Sequence, residues 1–122
     1  MKLVLASNNA KKLTELRALL VPLGVELLAQ GDLAIAEAAE PFDTFVENAL
    51  AKARFASAHT GLPALADDAG LCVDAFGGLP GVDTAYYATQ FGYEKSDDNN
   101  VIALLEQMRH ITNRRAALVS TL

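Results

Sequence analysis

Two short apolar runs, Lys2 to Ala6 and Val25 to Ala29, bracket a segment in which Leu13, Leu16 and Leu20 recur at three- and four-residue steps. That recurrence predicts a helix, and the runs on either side predict strands. The polar turn Ser7-Asn8-Asn9 leads into the helix, and Pro22 and Gly24 end it. A strand, a helix and a second strand in this order commit the chain to layers of helix on sheet.

The remainder extends that pattern. Residues 30–43 have no clear period and carry Asp32, Glu37, Glu40 and Asp43, so a loop with a short helical turn is expected. Thr44-Phe45-Val46-Glu47 has the spacing of a capping box, in which hydroxyl and carboxylate satisfy each other's backbone donors. The helix it opens should run to about Ala58 and stop at Thr60-Gly61. Pro63 starts a strand through "PALADDAG", Leu71 to Ala75 reads as a returning strand, and Gly77-Gly78 and Pro80-Gly81 are turns. Ser96 or Asp97 caps a further helix with the stripe Val101, Leu104, Leu105 and Met108. Ala116 to Leu122 is strand-like and ends without a stop signal, so the chain reads as cut short. The order β-α-β, α-β-β, α-β predicts an α/β or α+β class on a mixed sheet, as one domain over residues 1–122.

Charge narrows the partners. A net charge of −5 argues against coating a nucleic acid polymer. A small anionic ligand is still open to it, because local cations or a metal can override the global sign. Cys72, the single cysteine, has no internal partner and is expected to pack as a small hydrophobe. The apolar start is too short for a signal peptide, and no run approaches the ~20 residues of a membrane span. A reducing, cytoplasmic setting without membrane contact is the expectation.

Three stretches carry candidate chemistry. Ser7, Asn8 and Asn9 flank a helix N-terminus with Lys11 and Lys12 in its first turn. Backbone N–H groups and the helix dipole favour an anion there; the alternative is a solvated turn with two surface lysines. On the capped helix, Asn48 and Lys52 share one face, while Phe45, Ala49, Leu50 and Ala53 can pack inward. In "LADDAG", Asp67 and Asp68 point to opposite faces if one strand continues through both, unless Gly70 permits a bend. Carboxylates there suit Mg²⁺, which takes hard oxygen ligands, and Glu40 could reach the same place. The alternative is plain turn chemistry. Together, a basic turn for phosphates and an acidic strand end for a divalent ion point to phosphoanhydride hydrolysis by water.

The segments "LASNNAKKLTEL", "TFVENALAKARFAS", "GLPALADDAGLCVDAFGGLPGVDTA" and "NNVIALLEQM" occur in the order seen in one group of enzymes. By them the chain resembles the inosine triphosphatase family, which acts on non-standard purine nucleoside triphosphates. The resemblance implies a mixed, bent sheet flanked by helices, with a cleft between two lobes, in a homodimer. It implies Mg²⁺-dependent release of pyrophosphate from dITP, ITP and XTP. On this likeness Asp68 is the proton acceptor and a metal ligand, joined at the metal by Glu40 and the neighbouring Asp67. Ser7, Asn8, Asn9, Lys12 and Lys52 fall on substrate-contacting positions. Ala69 stands where a Ser is common, which leaves backbone contact with the substrate. Relatives of this type continue beyond residue 122 with segments that help read the base, so the resemblance implies that the C-terminal part of the fold is missing and that base discrimination is weak. The alternative is a non-catalytic remnant that binds nucleotide or self-associates.

Overall fold

Alternating apolar runs and helical stripes produce five strands and three α-helices, described by a computed structural model over residues 1–122. In chain order they are β1 (Lys2–Leu5), α1 (Ala10–Leu20), β2 (Glu26–Ala29), α2 (Phe45–Thr60), β3 (Ala64–Leu65), β4 (Asp68–Val73), α3 (Asp97–Met108) and β5 (Ala116–Thr121). The α/β class expected from the sequence is what forms. The chain divides into two compact units: Met1–Asp68 with Thr121–Leu122, and Ala69–Ser120.

In the first unit, β1 pairs in parallel with β2 on one side and β3 on the other. Its central place explains why Val4 and Leu5 are fully buried. The helix α2 packs over this sheet, with Ala56 and Ala53 against Val4, Ala6 and Ala66. Small side chains let the helix approach closely. Arg17 of α1 donates from Nε to the Leu27 carbonyl at 3.1 Å, fixing α1 to β2. Because all three strands run the same way, Ala6, Gln30 and Ala66 emerge at one edge. That carboxyl edge is where open parallel sheets bind ligands.

The ends of α2 follow local chemistry. Thr44 caps the helix by accepting from Glu47 N at 3.3 Å. The reciprocal half of the capping box differs from expectation: the Glu47 carboxylate accepts from the Thr44 hydroxyl at 2.7 Å. Gly61 closes the helix at φ 70°, a left-handed conformation that a side chain disfavours. Leu50, expected inward, is 45% exposed.

In the second unit, β4 pairs with β5. The bond from Asp74 N to Arg115 O sets the end of β4 beside the start of β5, an antiparallel sense. A run of 3-10 turns, Gly81–Phe91, packs Tyr87 and Ala88 onto Ala103 of α3. Ser96 caps α3 by accepting from Asn99 N at 3.0 Å. The buried stripe of α3 is Ala103 and Met108, while Val101 and Leu105 face outward at 56% and 60% exposure. Of the expected stripe, Met108 is buried and Leu104 packs against the Tyr87–Ala88–Ala103 cluster, with the small Ala103 taking the innermost place. No helix is long and apolar enough to cross a membrane.

Candidate polyphosphate and metal site

At the carboxyl edge of the parallel sheet, β1 hands the chain to Ser7-Asn8-Asn9 and then to α1. Ser7 Oγ accepts from Asn9 N at 3.1 Å, and Asn9 Oδ1 accepts from Lys11 N and Lys12 N at 3.0 and 3.2 Å. An amide-lined anion site was expected here. The Asn9 cap already satisfies two of those amides, so Asn9 shapes the turn and the lysine side chains are left as its cationic groups. Asn8 is held from two sides: its Nδ2 donates to Glu37 Oε1 at 3.0 Å, and its Oδ1 accepts from Gln30 Nε2 at 3.2 Å. Gln30 is buried, and only its position at the end of β2 hinted at such a role.

The two aspartates separate. The sequence left open a strand bent at Gly70 or a plain turn; the structure ends β3 at Leu65, breaks at Ala66 and Asp67, and begins β4 at Asp68. The break precedes Asp68 and sends the two carboxylates to different partners. Asp67 meets Lys12 Nζ at 2.6 Å. Asp68 Oδ1 lies 3.7 Å from Lys52 Nζ, which also holds Glu40 Oε1 at 2.9 Å. The expected three-acid metal set of Glu40, Asp67 and Asp68 does not gather: no group of three or more His, Cys, Asp or Glu side chains is placed to hold an ion. Asp67 is engaged by Lys12, whereas Glu40 and Asp68 converge through Lys52. Ala69 is exposed on β4 and has no polar side chain to offer.

Glu40 reaches this place because Asn48 fixes the segment before α2. The Asn48 side chain is 1% exposed. It accepts from Phe42 N through Oδ1 and donates to Phe42 O through Nδ2, each at 3.0 Å. Sequence reasoning placed Asn48 on the Lys52 face without giving it a task. A buried polar residue one helical turn before a site lysine was the available signal.

Burial pushes the Asp68 carboxyl above its ordinary value of 3.8; Lys52 opposes the rise and Glu40 adds to it. Asp68 Oδ2 is buried and has no hydrogen-bond partner. Such an oxygen is costly unless a proton or a cation meets it. Glu40 and Asp68 supply hard oxygen donors, and Mg²⁺ typically uses one or two carboxylates together with phosphates and water. The donor set fits a hard divalent ion.

Aromatic residues gather in the second unit. Tyr86, Tyr87 and Phe91 line a hollow of ≈ 590 Å³ with Phe76, Leu79 and Asp83. Tyr87 and Phe91 meet edge to face at 5.1 Å. The Lys95 ammonium sits over the Tyr86 ring at 4.4 Å. Within α2, His59 Nδ1 lies 2.8 Å from the Phe55 carbonyl.

A parallel sheet with helices against it, carrying paired acids and lysines at its carboxyl edge, defines an α/β protein with a charged site. Residues 3–122 match the profile of the Ham1 family. The chain therefore belongs to the Ham1 family. It is 80% identical over its whole length to a protein of Albidiferax ferrireducens named dITP/XTP pyrophosphatase, and 77% identical to one of the same name from Acidovorax sp.. It spans 61% and 60% of those two proteins. Among solved structures it superposes on a HAM1 protein from Coxiella burnetii with a TM-score of 0.89 at 38% identity, covering 98% of this chain and 60% of that one. A dITP/XTP pyrophosphatase structure from Mycobacterium abscessus gives 0.81 at 43% identity, with 98% and 63% covered.

Proposed function

We propose that the chain carries the metal and phosphate machinery of a pyrophosphatase acting on dITP, ITP and XTP, with Mg²⁺ as cofactor. The observation that carries this reading is the convergence of Glu40, Asp68 and Lys52, with Lys12 and Asp67 beside the first turn, at the carboxyl edge of one sheet. The names of the relatives that the chain matches over its whole length support the substrate class.

The chain's own residues define the roles. Glu40, Asp67 and Asp68 outnumber Lys12 and Lys52, so the site alone repels a triphosphate. Glu40 and Asp68 would hold Mg²⁺, which when bound would supply the missing positive charge and polarise phosphoryl oxygens. Lys12 and Lys52 exchange a carboxylate for a phosphate oxygen and orient the chain of phosphates. Ser7, Asn8 and Asn9 keep the turn in shape and line the phosphate path, and Ala69 contributes backbone only. The desolvated Asp68 carboxylate takes the proton of the attacking water on the oxygen that a cation leaves free. Water adds to the α-phosphorus, the α–β bridge breaks, and the monophosphate and pyrophosphate leave. A homodimer in a cytoplasmic setting completes the reading, and sedimentation velocity tests the former.

The test is a nucleotide panel with and without Mg²⁺, comparing the chain with its Asp68→Asn variant. Loss of a proton acceptor lowers turnover by about 10²–10⁴-fold. Pyrophosphate release from dITP no faster than that of the variant refutes the reading. Nucleotide binding without turnover in both would instead favour the non-catalytic alternative.

A further inference from the structure

Lys52 stands between carboxylates from two separate segments, Glu40 ahead of α2 and Asp68 at the start of β4. Its side chain is 17% exposed and that of Asp68 8%. The match is lopsided. The ammonium approaches Glu40 Oε1 at 2.9 Å and Asp68 Oδ1 at 3.7 Å, while Asp68 Oδ2 meets nothing. One positive charge holds two negative ones, and a buried oxygen is left over.

The geometry points to Lys52 as an internal stand-in for the divalent cation: its ammonium keeps Glu40 and Asp68 together in the free chain and leaves them when a metal binds. This rests on the divalent-cation reading of the site given above. An ammonium and a metal ion compete for the same lone pairs, and like charges a few ångströms apart repel strongly where water is scarce. The ion carries the larger charge and also satisfies the orphaned Oδ2, so it wins the exchange. A lysine ammonium on its flexible stem can rotate out without moving the backbone. The released charge is then free to meet a phosphate oxygen, which links arrival of the metal to readiness for polyphosphate. The exchange makes Lys52 a positioning residue in the free chain.

The sign of one measurement separates this role from a merely structural one. If Lys52 only braced the site, its removal would loosen metal binding; if it competes, removal tightens it. The experiment is titration with Mn²⁺ alone, without nucleotide, following free Mn²⁺ by electron paramagnetic resonance. Lys52→Met is expected to bind Mn²⁺ about tenfold more tightly than the unaltered chain, equivalent to 1.4 kcal/mol. Lys12→Met, whose lost partner is Asp67, is expected to stay within about twofold. Lys52→Arg is expected to weaken binding about threefold or more, because a guanidinium fork can hold both carboxylates and keeps its charge.

Unchanged or weaker binding in Lys52→Met overturns the inference, as does an equal gain in Lys12→Met, which would mark a bulk-charge effect. Should Lys52→Met fail to fold by circular dichroism, Lys52→Arg decides alone, and binding equal to or tighter than that of the unaltered chain overturns it. Absence of Mn²⁺ binding in every form overturns the cation reading itself along with the role given to Lys52. Tight binding that ignores residue 52 overturns only the latter.

Discussion

Asn48→Ala should destabilise the first unit more than any single surface change and disturb the site at the same time. The side chain is buried and satisfies the N–H and the carbonyl of Phe42 at 3.0 Å each, and its amide also faces the Asp68 carboxyl. Each such bond contributes about 1 kcal/mol net, and a buried group left without its partner costs about 1–3 kcal/mol. Water can reach Phe42, which is 41% exposed, so part of that loss is recovered. The expected destabilisation is about 2–3 kcal/mol, a sizeable share of the roughly 5–15 kcal/mol of an ordinary domain. Urea unfolding followed by far-ultraviolet circular dichroism measures it, and a shift in midpoint with unchanged slope assigns it to stability. Glu40 lies two residues before Phe42, so the same variant should also weaken Mn²⁺ binding. A loss below about 0.5 kcal/mol, the range of ordinary surface substitutions, would show that the Asn48 clamp does not hold the segment carrying Glu40.

Two further expectations come from the same residues. Asp68 has its carboxyl raised above 3.8 by burial, so between 3.8 and that raised value the folded chain keeps a proton that the unfolded chain has lost. The Asp68 contribution is therefore complete below 3.8 and is lost as pH rises through the raised value. In metal-free buffer, the stability difference between the unaltered chain and Asp68→Asn should fall across that window, and a difference that rises with pH would contradict the assignment. Thr44→Ala removes the cap of α2 and should cost about 1 kcal/mol in urea unfolding; no measurable change would mean that Glu47 N is satisfied without the Thr44 hydroxyl.

Much of this arrangement was legible in the sequence because it rests on local chemistry. The Thr44 and Ser96 caps, the Gly61 stop and the leucine period of α1 are each set by neighbours within one helical turn. The separation of Asp67 from Asp68 was not legible. It depends on where β3 ceases to pair with β1, and nothing in "LADDAG" says whether Gly70 or Ala66 marks the break. The Lys12–Asp67 and Lys52–Glu40 pairs were equally hidden, since they join residues that lie far apart in the chain until the parallel sheet and α2 bring them together. The α3 stripe was legible in part: Leu104 and Met108 turn inward, while the small Ala103, which size does not single out, fills the core in place of Val101 and Leu105. The resemblance supplied roles for these residues, while the geometry shows which acid faces which lysine.

Phosphorus magnetic resonance of dITP incubated with the chain and Mg²⁺ bears most directly on the chemistry assigned to Asp68 and its neighbours. Resonances of pyrophosphate and a nucleoside monophosphate should grow in step, and both should appear about 10²–10⁴-fold more slowly with Asp68→Asn. Orthophosphate appearing with a nucleoside diphosphate would place the attack at the wrong phosphorus and contradict the account.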